Sequence, residues 1–152
     1  MLKIKLNQSL PNPLQITLEC APGELHALVG PSGSGKTTVL RSIAGLNRPS
    51  TGKIECNEEI WFESDDLRSK TRCLEPADRS CGFLFQQYAL FPHLNALGNV
   101  VIPLQNSNLN RAEPQPLGLE WLHRMGIGSL AERMPHQLSG GHQQRVALAR
   151  AL

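Results

Sequence analysis

The chain has 152 residues, the size of one ordinary domain, and its 40% hydrophobic content fits a soluble globular protein and excludes a disordered one. Fifteen Lys and Arg against 13 Asp and Glu leave a net charge of +2, too balanced to point to nucleic acid. The longest apolar run, Val100–Leu104, is far short of the roughly 20 residues of a membrane helix, and Met1–Leu10 has no apolar core of a secretory signal, so work at a membrane would go through a partner chain.

In chain order, strands come first and helices later. Leu2–Leu6 alternates apolar residues with Lys3 and Lys5, the period of a half-buried strand, and Leu14, Ile16 and Leu18 repeat the pattern. Pro22-Gly23 marks a turn. Leu25–Val29 reads as a short buried strand that enters a glycine-rich turn, Gly30–Gly35. A helix follows, with Val39, Leu40, Ile43 and Ala44 on one face and Gly45 and Pro49 as its stop. Ile54 and Ile60–Phe62 read as short hairpin strands, residues 63–80 as irregular, and Cys81–Phe85 as another buried strand. Residues 105–116 are polar and read as a loop. Pro116 could then open a helix with Leu117, Trp121, Leu122 and Met125 on one face, a Glu120–Arg124 pair, and Gly126 at its end. Ser139 can cap a last helix, Gly140–Leu152.

The cysteines (Cys20, Cys56, Cys73, Cys81) have no zinc or redox spacing, as expected of scattered thiols in a reducing compartment. The histidines (His26, His93, His123, His136, His142) form no metal-ligand pattern either.

The strongest chemical signal is Gly30-Pro31-Ser32-Gly33-Ser34-Gly35-Lys36-Thr37, the phosphate-loop pattern of a glycine, four residues, then glycine-lysine-threonine. Glycines let the backbone curl so that several N–H groups point at phosphate oxygens, and the helix that starts there adds its positive end. Lys36 should reach the β- and γ-phosphates of a nucleoside triphosphate. Thr37 should hold Mg²⁺ through its hydroxyl, and Thr38 should touch the α-phosphate.

The second signal is Leu138-Ser139-Gly140-Gly141-His142-Gln143-Gln144-Arg145-Val146-Ala147-Leu148-Ala149-Arg150. Its two glycines fall in a helix's first turn, where each costs about 1 kcal/mol against alanine. They indicate either close approach by a group such as an anion or simply a flexible helix start.

Here the sequence resembles the signature motif of ATP-binding-cassette (ABC) ATPases. Phe85-Gln86 is similar to the family's Q-loop, and Tyr88-Ala89-Leu90-Phe91-Pro92-His93-Leu94 to the stretch that follows it in importer subunits. The three motifs follow the family's order across the whole chain. The resemblance implies an α/β fold: a P-loop NTPase core with a parallel sheet and helices, an N-terminal antiparallel β region and a helical subdomain. Residues 1–91 would form the β region and core, 92–138 the helical subdomain and 139–152 the signature helix. Leu25–Val29 and Cys81–Phe85 would lie in the parallel sheet.

The resemblance also implies roles. Two such subunits would sandwich two ATP molecules head to tail, each ATP on one subunit's Gly30–Thr38 and against the other's Ser139, Gly140, Gly141 and His142. Gln86 would be catalytic, touching Mg²⁺ or the attacking water, and would sense a transmembrane permease. Thr37 and Gln86 are the metal ligands expected. The subunit would be an ABC-type ATPase, peripheral on the cytoplasmic face of the inner membrane through its permease, and would not bind nucleic acid. Glu75-Pro76-Ala77-Asp78-Arg79 is similar to a segment of bacterial importer ATPases, and Ile60–Ser64 most resembles molybdate-type oxyanion importers.

The chain departs from the family pattern in four respects. No apolar run followed by Asp-Glu occurs, so the second acidic strand is not among these residues and the chain alone should not turn over ATP. His142 stands where glutamine is usual. No aromatic residue precedes Trp61 to stack on adenine, which leaves aliphatic contact from Leu10–Pro13. A C-terminal regulatory domain is not expected among these residues. The alternatives to an importer subunit are a truncated nucleotide-binding module without hydrolysis and a soluble non-transport ABC protein.

Overall fold

The alternation of Lys3 and Lys5 with Leu2, Ile4 and Leu6 builds β1 (Leu2–Gln8), whose apolar side faces a core and whose lysines face water. In the computed structural model the described residues are 1–8, 13–65, 71–106 and 113–152. They fall into two compact units, Met1–Cys81 and Gly82–Leu152.

In the first unit β1 pairs antiparallel with β2 (Leu14–Cys20) on one side, with Ile4 opposite Leu18, and with β3 (Thr51–Cys56) on the other, with Ile4 opposite Ile54. Beyond β3 come β4 (Glu59–Ser64) and the short β5 (Arg72–Cys73), giving the order β2-β1-β3-β4-β5. Asn57 and Glu58, both with positive φ, make the two-residue turn between β3 and β4. A bulge at Ile54/Glu55 inserts Trp61 as an extra residue in β4, which breaks the alternation, so adjacent Trp61 and Phe62 are both buried. They form the core with Ile4, Leu6 and Ile54, and Ile43 of α1 (Lys36–Ile43) packs against it. Leu40, expected on the buried face of that helix, is 47% exposed, and Ser42 is buried instead.

Gly52 shows how close the backbones run. It has φ +128°, and a Cβ there would overlap the Lys5 carbonyl oxygen on β1. Gly52→Ala is therefore expected to destabilise the first unit by more than about 1 kcal/mol, because the native conformation is closed to alanine. An unfolding midpoint equal to the parent's in urea would refute this.

The two strands expected in a parallel sheet are absent. Leu25–Val29 and Cys81–Phe85 carry no strand pairing, and Leu25 and Val29 are 97% and 92% exposed. All strands among the described residues belong to the single antiparallel sheet. The reason is physical: a parallel strand takes its hydrogen bonds from other strands and its cover from helices on both faces. Among the described residues no strand pairs with either, and an apolar run cannot hold a ladder by itself.

The second unit is helical. α2 (Ala96–Asn106), α3 (Pro114–Arg124) and α4 (Gly140–Ala151) enclose Ala96, Val100, Leu122, Ile127, Leu138 and Val146. Two short 3₁₀ turns, Gly128–Leu130 and Pro135–Gln137, connect α3 to α4. No element is expected at 96–106 from the residues alone, yet a helix forms there with Pro103 inside it; Asn95 starts it, its Oδ1 accepting from Gly98 N–H at 2.7 Å. α3 opens at Pro114, two residues ahead of the expected Pro116, and the Glu120–Arg124 pair forms at 2.6 Å. Gly126, with φ +71°, ends it as expected. Part of the 63–80 segment and of the 105–116 loop, residues 66–70 and 107–112, lies outside the described residues.

Candidate functional site: a phosphate loop and a capped glycine helix

The chain rises from Val29 into Gly30–Gly35 and turns directly into α1. Gly33 and Gly35 have φ of +82° and +91°, which side-chain-bearing residues rarely adopt, so the glycines of the motif are what allow the curl. Gly35 is the N-cap, and no side chain caps the helix. The first N–H groups of α1 are thus left without a side-chain acceptor, and its first turn holds no acidic residue. The Lys36 ammonium folds back into the loop, donating to the carbonyls of Gly30 at 2.8 Å and Pro31 at 2.7 Å and to Ser34 Oγ at 3.4 Å. Ser32 and Thr37 are exposed, and Thr38 is half-buried. The result is one cation held by the loop at the head of a helix that has a glycine N-cap.

The other end of α1 is held by Arg79, only 4% exposed. Its Nη1 donates to the carbonyls of Ser42 at 2.8 Å and Ile43 at 2.7 Å, the last residues of the helix. Nε donates to Leu74 O at 3.0 Å and Nη2 to Trp61 O at 3.3 Å, while the guanidinium stands 5.9 Å from the Trp61 ring centre. A cation at a helix C-terminus complements its dipole, so one side chain fixes the phosphate-loop helix to the sheet. The sequence reading quoted Glu75–Arg79 without giving Arg79 a role. Nothing in the local pattern marks an arginine as buried; its acceptors come from residues 5 to 37 positions away.

In the second unit, exposed Gln86 precedes a tight backbone corner at Tyr88 and Ala89. Fully buried Asn99 holds the next stretch: Oδ1 accepts from Phe91 N–H at 2.7 Å, and Nδ2 donates to the carbonyls of Phe91, Leu94 and Asn95 at 3.0–3.2 Å. Ser139 is the N-cap of α4, its Oγ accepting from His142 N–H at 3.3 Å. A Cβ added at Gly140 or Gly141 would meet nothing within 4 Å, so packing inside the unit does not demand glycine at either position. His142 is half-buried. The expected residues are thus distributed, with Gly30–Thr38 in the first unit and Gln86 with Ser139–His142 in the second. Of the aliphatic candidates for adenine, Leu10–Asn12 fall outside the described residues.

One grouping was not legible in the spacing. Cys20, Glu24 and His26 bring their ligand atoms within 4.8 Å of one another on the turn after β2. His26 Nε2 lies 3.0 Å from Glu24 Oε2, which also accepts from Ala21 N–H at 2.7 Å; these two bonds lower the Glu24 pKa. Among the described residues no helix is long and apolar enough to cross a membrane.

Residues 14–152 match the family model described as ABC transporter. The chain is 45% identical over 140 residues to the Fe(3+) ions import ATP-binding protein FbpC of Agrobacterium fabrum, covering 91% of this chain and 36% of that protein. It is 44% identical over 146 residues to the sulfate/thiosulfate import ATP-binding protein CysA 1 of Rhizobium meliloti, covering 93% and 39%. It is 43% identical over 139 residues to the molybdenum import ATP-binding protein ModC of Saccharophagus degradans, covering 91% and 36%. The chain therefore spans little more than a third of these relatives. Among solved structures, a dimeric ATP-binding cassette in a post-hydrolysis state bound to ADP and Pi superposes with a TM-score of 0.79 at 31% identity, covering all of this chain and 69% of that one. A dimeric bacterial ABC transporter cassette gives 0.77 at 34% identity, with the same coverage. Phosphate loop, capped glycine helix and these matches agree: the chain belongs to the ABC transporter family and carries part of its ATP-binding cassette.

Proposed function

We propose that the chain is the nucleotide-binding part of an importer subunit that couples ATP binding and hydrolysis to transport through a separate permease. The observation that carries this reading is the Lys36 ammonium, held by three loop oxygens at the head of a helix with no side-chain cap. That donor set suits the β- and γ-phosphates, with Gly30, Pro31, Ser32, Gly33, Ser34 and Gly35 wrapping them and Thr38 reaching the α-phosphate. Thr37, exposed on the first turn of α1, and Gln86 offer the oxygen ligands that Mg²⁺ prefers. Bound there, Mg²⁺ would neutralise phosphate charge.

Ser139, Gly140, Gly141 and His142 are assigned to the γ-phosphate of an ATP on a second copy in a head-to-tail dimer. The open space at both glycines supports this, because it leaves the helix start free for an approaching anion. Dimeric cassettes among the structural relatives support it as well. The subunit would sit on the cytoplasmic face of the inner membrane, held by its permease. Its cargo is an inorganic ion; Ile60–Ser64 suggests molybdate, but the iron relative is 45% and the sulfate relative 44% identical against 43% for the molybdenum one, so the relatives favour no single cargo over iron. For these 152 residues alone, binding without turnover is the expected behaviour, since hydrolysis needs a positioned carboxylate after an apolar strand.

The test is a titration of a fluorescent ATP analogue onto the chain in the presence of Mg²⁺. ATP and ADP should displace the analogue, whereas AMP, which has no β-phosphate for Lys36, should not. Absence of saturable binding, or displacement by AMP as strong as by ATP, would remove the proposal.

A further inference from the structure

Tyr88 and Ala89 have φ of +60° and +46°, a region that non-glycine residues seldom occupy. Ala89 N–H bonds back to Gln87 O at 2.6 Å, so Tyr88 is the centre of a γ-turn of the rare, strained hand. The other non-glycine residues with positive φ, Asn57 and Glu58, form a hairpin turn whose flanking strands enforce it. No strand flanks Tyr88 and Ala89. Arg150, in the last turn of α4, faces them instead. Its Nη1 donates to Ala89 O and its Nη2 to Tyr88 O, each at 2.7 Å, and the guanidinium stands 5.7 Å from the Phe91 ring centre. Strained backbone persists where its surroundings over-determine it, and a planar two-pronged donor on two successive carbonyls does so.

We infer that Arg150 is a positioning residue: it latches the strained Tyr88–Ala89 corner to the signature helix, so that the segment after Gln86 and the Ser139 end of α4 move as one body. The functional meaning rests on the nucleotide-binding reading above. If Ser139–Gly141 meets a γ-phosphate, the 12-residue helix, about 18 Å long, carries that event to the corner two residues after Gln86. The latch itself does not depend on nucleotide.

Tyr88 is the chain's one tyrosine, so replacing tyrosine by 3-fluorotyrosine yields a single ¹⁹F resonance that reports on the corner. The unaltered chain should give one narrow line. Arg150→Ala should move or split it toward the position seen in denaturant, while far-UV circular dichroism and tryptophan emission stay native. Arg150→Lys keeps the charge but not the two-pronged geometry, and should move the line part of the way. Adding Ala89→Gly to Arg150→Ala should bring the line back, since glycine occupies the left-handed region freely. A general loss of packing would not be rescued in this way. A line unmoved in folded Arg150→Ala or Arg150→Lys would overturn the latch. Global unfolding of both variants would overturn it too, because a local latch does not hold the whole unit. ATP titration of the same variants is an independent readout: loss of binding in the parent chain would sink the nucleotide reading and leave the latch standing.

Discussion

Lys36→Ala is expected to weaken binding of an ATP analogue by roughly 10- to 100-fold. The Lys36 ammonium is the loop's own charge, and hydrogen bonds to charged groups contribute about 1.5–3 kcal/mol, where 1.4 kcal/mol is a factor of ten. This group donates to Gly30 O, Pro31 O and Ser34 Oγ, bonds that a phosphate bound to Lys36 would have to replace. The substitution should leave the fold intact, because Lys36 belongs to neither core cluster. Titration of parent and variant under the same Mg²⁺ and salt checks it. Equal affinities would show that Gly30–Thr37 is not the phosphate site.

Arg79→Ala is expected to have the largest effect on stability, about 2–5 kcal/mol, since hydrogen bonds from a charged donor contribute about 1.5–3 kcal/mol and an orphaned buried carbonyl costs about 1–3 kcal/mol. Four carbonyl oxygens, those of Ser42, Ile43, Trp61 and Leu74, lose the guanidinium together, and of these only Ser42 O and Trp61 O keep a backbone donor, the N–H groups of Gly45 and Leu74. The C-terminus of α1 also loses the guanidinium that bonds its last carbonyls, so the helix that carries the glycine-rich loop should loosen from the sheet. With domain stabilities of about 5–15 kcal/mol, the first unit would be near its limit. Its thermal midpoint should fall by at least about 10 °C, or its cooperative transition should vanish. Arg79→Lys should fall between, since an ammonium cannot serve four separated carbonyls. The control is Arg124→Ala, which breaks the exposed Glu120 pair and a cation–π contact 4.9 Å from the Trp121 ring centre and should cost about 1 kcal/mol. An Arg79→Ala midpoint as close to the parent's as that of Arg124→Ala would mean that the buried guanidinium is replaceable by water.

Local chemistry was legible in the sequence. The lysine alternation of β1, the positive-φ glycines of the Gly30–Gly35 turn, the Ser139 cap, the Glu120–Arg124 pair and the Gly126 stop are set by residues within a few positions of one another, and each appears as the pattern required. Short-range steric and hydrogen-bonding rules suffice for such features. Tertiary structure decided what depends on distant partners. It withheld strand pairing from Leu25–Val29 and Cys81–Phe85, because an apolar run is a strand only where another strand meets it. It made a helix of Ala96–Asn106 despite Pro103, because packing against α3 and α4 outweighs propensity. It buried Arg79 and Asn99 and set Arg150 on the Tyr88–Ala89 corner, because a polar side chain enters a protein interior only where carbonyls from elsewhere in the chain wait to accept from it.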